Sequence, residues 1–110
     1  MKKPIAVSGS NGSIEEIMAS PEEQLGHELI HVDQFIREGV ADNAEKTHVF
    51  SMGGMSYEER ERVSELRAVG LGGYNKPGDI TENMIRRELG VRPRATYNLP
   101  SSSRNIRQVK

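Results

Sequence analysis

The chain has no cysteine and no tryptophan, and only 5% of its 110 residues are aromatic. Without thiols no disulfide can staple the fold, and any metal site has to be built from His, Asp and Glu. With so few rings the core must be aliphatic, made of Leu, Ile, Val and Met. Long apolar runs are missing as well. Nothing approaches the roughly twenty residues that cross a bilayer, and the two N-terminal lysines are not followed by an apolar stretch of Sec-signal length. No membrane span and no Sec signal peptide are therefore expected. Excess charge is also absent: fifteen basic against sixteen acidic residues leave a net charge of -1. That balance gives no global attraction to nucleic acid or anionic lipid, and leaves a protein or peptide as the open class of partner.

A chain of this length makes one domain with one compact core. Lys3 to Val7 can form a short strand, followed by loop chemistry from Ser8 to Gly12. Ser13 with Glu16 has the spacing of a capping box and predicts a short helix through Ile17 and Met18. Ser20-Pro21-Glu22-Glu23 is a fuller helix start, with Ser at the cap, Pro at the first position and Glu at the third. The helix that it opens should run from Pro21 to about Glu38, with Gly39 as a left-handed stop. At 100° per residue Leu25, Leu29, Val32 and Ile36 share one stripe, which predicts the core side, and His27 and His31 lie on the opposite one.

Further on, Thr47 to Ser51 reads as a short strand and Met52 to Met55 as a flexible connector. Ser56-Tyr57-Glu58-Glu59 repeats the capping-box spacing and predicts a second helix to about Val69, with Val63, Leu66 and Val69 inward and Glu65 at the border of that face. A glycine-rich loop from Gly70 to Gly78 lacks the lysine and helix pattern of a phosphate-binding P-loop. Asp79 with Glu82 should cap a third helix ending near Leu89. Ser101 to Lys110 is serine-rich and basic, and is expected to be a mobile tail.

The residues that carry chemistry are His27-Glu28-Leu29-Ile30-His31. Two histidines four apart on a helix can share one metal ion, and the glutamate between them can act as the base for a water that the metal activates. A five-residue pattern of this kind arises by accident in about one chain in a hundred of this length, so a third ligand is needed before it means a site. Asp33, His48, Glu58, Glu61, Glu65 and Glu82 are the candidates. Asp33 points about 200° away from His31 on the same helix, whereas Glu65 comes from a second helix at the edge of a buried face. The residues alone also admit plainer readings: two exposed histidines, a solvated Glu65 paired with Arg62 or Arg67, and an Arg94 that belongs to a basic group with Arg86, Arg87 and Arg92.

Four segments in order, His27 to His31, Ser64 to Gly70, Thr81 to Asn83 and Arg94 to Asn98, resemble the clostridial neurotoxin light chains. They are similar above all to the NleD-like and XopG-like zinc metallopeptidases that bacterial pathogens inject through type III secretion. The resemblance covers Gly26 to Asn98 and implies a mainly helical α+β domain over residues 1–100, a minimal zincin-like metalloprotease with a small sheet, ahead of a flexible basic tail at 101–110. It makes His27, His31 and Glu65 the ligands of Zn2+ and Glu28 the general base. It makes Glu82 a brace on the site, and Arg94 and Tyr97 the pair that faces the reacting carbonyl. The toxins commonly carry an acid where this chain has Ser64, so that contact is missing here or is replaced by Glu61. A zinc endopeptidase, acting as a monomer on a specific host protein after secretion into the host cell, is the implied function. A non-catalytic zinc-binding interaction module is the alternative, and a metal-dependent DNA-associated regulator resting on the basic residues from Arg104 to Lys110 is a third.

Overall fold

The computed structural model describes residues 3–39 and 42–109. Lys3–Ser8 (β1) and Ile14–Ala19 (β2) pair antiparallel, in register from Lys3 opposite Ala19 to Ser8 opposite Ile14. A single 3-10 turn at Ser10–Gly12 joins them, and it uses left-handed backbone at Asn11 and Gly12. The Ser13–Glu16 capping box therefore does not form, and the helix expected there is a strand. Ser13 Oγ donates instead to the Ser10 carbonyl within the turn, and the Glu16 carboxylate accepts from the Ser101 amide and hydroxyl. Pairing with β1 buries Ile5, Val7 and Ala19 in one apolar cluster, a return that six residues of isolated helix could not match.

The helix Pro21–Glu38 (α1) begins and ends as expected. Ser20 Oγ accepts from the Glu23 amide at 3.2 Å, Glu23 Oε2 accepts from the Ser20 amide at 2.6 Å, and Gly39 closes the helix at φ 87°. Its orientation is the reverse of the expected one. Leu25, Leu29, Val32 and Ile36 are all exposed, Ile36 by 76%, and the buried residues of the helix are Ile30 and Gln34. The face that packs on the body of the protein is thus the face that carries the histidines.

Glu45–Met52 (β3) and Met55–Arg62 (β4) form a hairpin in register from Glu45 opposite Arg62 to Met52 opposite Met55. Its two-residue turn is Gly53-Gly54, both at positive φ, the backbone that a tight hairpin requires. The second helix accordingly starts later than the Ser56 box suggested, as Val63–Val69 (α2). No side chain caps it. Its first amides donate to backbone carbonyls, Val63 to Ala44 and Ser64 to Asp42. The expected inward set of Val63, Leu66 and Val69 is buried, and Leu66 and Val69 join Leu71 in a second apolar cluster against Tyr74 and Tyr97.

The third helix is Glu82–Glu88 (α3), and its cap is Thr81, whose hydroxyl accepts from the Met84 amide at 3.1 Å. Asp79 was the expected cap. It is taken up instead by Arg67, whose Nε and Nη2 donate to its two oxygens at 2.7 Å each. Ile106–Gln108 (β5), within the segment expected to be mobile, adds to the free edge of β4 opposite Tyr57 to Glu59. Lys110, the last residue of the segment expected to be mobile, lies outside the described residues. Among the described residues strands hold nearly as much of the chain as helices do, so the α+β domain is evenly mixed rather than mainly helical.

Candidate metal centre

The centre is assembled from three places in the sequence: α1, α2, and the segment that runs from Thr81 to Tyr97. On α1 the four-residue spacing stacks His27 and His31 on one face, with ring centroids 4.8 Å apart and Nε2 atoms 3.1 Å apart. Glu65 reaches them from α2. Its Oε1 lies 3.3 Å from His27 Nε2 and in close contact with His31 Nε2. Among the described residues these three side chains form a group whose ligand atoms all lie within 4.8 Å of one another. Donors bound to one tetrahedral zinc at 2.0–2.1 Å lie about 3.3 Å apart, which the His27–His31 and His27–Glu65 spacings match, while Glu65 Oε1 sits closer to His31.

The other side of the His27 ring completes the test of fit. Nδ1 lies 2.8 Å from Glu82 Oε1, so this nitrogen carries a proton and donates, which leaves Nε2 as the nitrogen that a metal would take. Glu82 is buried and is bound also by Arg94, whose Nη1 donates to both its oxygens at 3.1 and 3.4 Å. Arg94 Nη2 donates to the Tyr97 carbonyl at 2.8 Å, and the guanidinium lies 5.4 Å from the centre of the Tyr97 ring. The Tyr97 hydroxyl returns to the start of the circuit by donating to Glu65 Oε2 at 2.5 Å.

The electrostatics follow from this crowding. Burial disfavours a charge on His27, but the Glu65 and Glu82 carboxylates outweigh it and raise its pKa to about 9. Burial likewise works against an ionised Glu65, and the two imidazoles and the Tyr97 hydroxyl overcome it, holding the carboxyl far below its ordinary range. Burial together with the Glu65 charge pushes the Tyr97 phenol well up, so it is a donor at every working pH. Without a metal, proton sharing holds this cluster together. Two imidazole nitrogens and one carboxylate oxygen facing one point are also what a divalent cation would take in place of the proton.

Of the other candidates for third ligand, Glu82 braces His27 and the rest lie elsewhere. Asp33 pairs with Arg37, Glu58 with Arg107, and His48 Nδ1 with Glu59 at 3.0 Å. Glu61 pairs with Arg62 yet is near enough for its charge to act on the Tyr97 hydroxyl, and Ser64 is buried without reaching the ring nitrogens. Glu28 is exposed next to the histidines, at the junction of two clefts. The larger cleft, about 630 Å³, runs past His31, Phe35, Lys46, Arg62 and Glu65. The smaller, about 220 Å³, lies among Ile5, His27, Glu82, Arg94 and Tyr97. The residue that sequence reasoning missed is Glu59, read as a helix cap. It is the fully buried partner of His48 and of the Tyr97 and Asn98 amides, and the single buried position of β4.

No curated protein and no solved structure matches the chain. The metallopeptidase family Peptidase_M91, described as an effector protein, matches it over residues 2–97, a span that takes in β1 and every residue of the centre. The chain belongs to the Peptidase_M91 effector-protein family.

Proposed function

We propose that the protein is a zinc-dependent endopeptidase of zincin type, a bacterial effector that cleaves a specific host protein. The observation that carries this reading is the convergence of His27 Nε2, His31 Nε2 and Glu65 Oε1, with Glu28 standing free beside them on the same helix. Two imidazoles and one carboxylate are a catalytic rather than a structural set, because three protein ligands leave a position for water or substrate. The same donor set also serves ferrous oxygenases, and membership of a peptidase family supports zinc over iron.

A zinc ion held by His27, His31 and Glu65 would supply Lewis acidity toward water and the peptide carbonyl. The chain supplies the rest. Glu28 takes the proton from the attacking water at its carboxylate and passes it to the amide nitrogen as the C–N bond breaks. Tyr97 turns its hydroxyl from Glu65 to the oxyanion that develops on the carbonyl carbon. Arg94 keeps Tyr97 and Glu82 in place, and Glu82 fixes the His27 tautomer.

The test is metal analysis of protein purified without added zinc, followed by comparison of Glu28→Gln with the parent on host proteins. About one zinc per chain in both, with hydrolysis only by the parent, is the expected result. Equal rates for the two, or iron in place of zinc, would overturn the reading.

A further inference from the structure

We infer that Glu59 is the positioning residue that sets Tyr97 against the metal centre, a role that rests on the zinc-site reading above. Glu59 is fully buried on β4, held between β3 and β5. Among the described residues no lysine or arginine pairs with it. Its carboxylate is filled by four donors: His48 Nδ1 at 3.0 Å and the Tyr97 amide at 2.7 Å on Oε1, and the Asn98 amide and side-chain nitrogen at 3.0 and 3.1 Å on Oε2.

A buried carboxylate is costly, and it is retained where its oxygens do what a neutral group cannot. Here both oxygens accept, and two of the donors are successive backbone amides of one turn. The Tyr97 peptide is therefore tied on both sides, its amide to Glu59 and its carbonyl to Arg94. With the backbone fixed, the Tyr97 side chain leaves the segment from one place, from which its hydroxyl reaches Glu65. Thr96, also fully buried, bonds within the same turn to the Asn98 carbonyl and stiffens it further. Glu59 thus links the three-stranded sheet to the centre, whereas Glu82 and Arg94 link it to α1 and α3.

Glutamine at this position is almost isosteric but accepts on one atom only. Its NH2 group must face either the Tyr97 amide and His48 or the two Asn98 donors, so one side of the clamp is lost. The experiment loads the parent and Glu59→Gln with cobalt(II) and follows ring-labelled tyrosines by NMR; the chain has three, and Tyr97→Phe assigns the signal. In the parent the Tyr97 ring carries a large shift from the paramagnetic ion. In Glu59→Gln that shift collapses or splits, with Tyr57 and Tyr74 unmoved and one cobalt still bound. The Tyr97 and Asn98 amides exchange at least about tenfold faster, while those of Leu66 and Val69 keep their protection.

A role in stability alone would lower the melting temperature and leave the Tyr97 shift of the folded protein where it was. That result overturns the inference. If Glu59→Gln does not fold, Glu59→Asp keeps the charge but withdraws it by one methylene, and an unmoved Tyr97 signal there has the same force. If the parent takes up no cobalt, it is the zinc-site reading that fails. The amide exchange of the metal-free pair then decides the clamp by itself.

Discussion

The Tyr97 hydroxyl donates to Glu65 Oε2 at 2.5 Å while Oε1 of the same carboxylate faces both histidine Nε2 atoms, so one side chain joins the metal-binding group to the 94–97 segment. A contact of this kind can act in two ways. It can hold a ligand, or it can keep a donor ready for the reaction.

Tyr97→Phe separates the two. Loss of a hydrogen bond behind a ligand costs about tenfold to a hundredfold in metal affinity. Loss of an oxyanion donor costs about 10²–10³ in turnover. Zinc titration is expected to show the smaller change and initial rates at saturating zinc the larger. If turnover of the fully loaded variant equals that of the parent, Tyr97 only braces Glu65.

The pKa of about 9 at His27 makes the metal-free protein pH-sensitive in a defined direction. The folded value lies above the ordinary 6.5, so the stability that His27 contributes is complete below about pH 6.5 and is lost as pH rises toward 9. Denaturation midpoints of the metal-free protein should fall across that window. A metal ion must displace the same proton, so binding near pH 7.5 should release about one proton from His27, and affinity should climb about tenfold per pH unit up to 9. Calorimetry in two buffers of different ionisation heat measures the release. Metal uptake without proton transfer would show that His27 is already neutral.

What could be read ahead of the structure was the chemistry carried on one continuous helix. The Ser20–Glu23 box, Pro21, Gly39 and the His27–His31 spacing are local signals, and each is realised where it stands in the sequence. Glu65 was favoured by its place at the edge of the buried face of α2, but its meeting with Glu82, Arg94 and Tyr97 was visible only through resemblance, because it depends on how α2, α3 and the following loop dock. The misread segments share a cause. Ser13–Glu16 and Ser56–Glu59 have the spacing of capping boxes, but four residues cannot report whether a strand partner exists elsewhere in the chain. In β4 the buried position is filled by a glutamate, so the two-residue period of a strand hides among charges.

Asp79 and Thr81 give a direct measure of that kind of misreading. As a cap, Asp79 would be worth about 1 kcal/mol, the usual cost of removing such a side chain. As the partner of Arg67 it is worth more, since both side chains are buried and Asp79→Ala would leave the guanidinium to Glu38 alone. Breaking one partner out of a buried pair costs about 3–5 kcal/mol. Urea unfolding should therefore separate Asp79→Ala from Thr81→Ala, with the larger loss at Asp79. Equal losses would return Asp79 to the role of a cap.

The reversed orientation of α1 leads to the last prediction. The apolar stripe looked like the core side because aliphatic burial normally decides which face turns inward. Here the inward face has Ile30 and Gln34 beside His27 and His31, and the ring nitrogens find Glu65 and Glu82 only in that orientation. Charge-assisted bonds in a part-buried site outweigh a stripe of four aliphatic side chains that keep about half or more of their surface in water. Ile36→Lys should then change stability by no more than about 0.5 kcal/mol. Ile30→Ala should cost about 2–5 kcal/mol, because Ile30 is only 6% exposed. Urea titration of the two variants checks the orientation without any assay of activity, and a loss at Ile36 as large as that at Ile30 would mean that the stripe is packed after all.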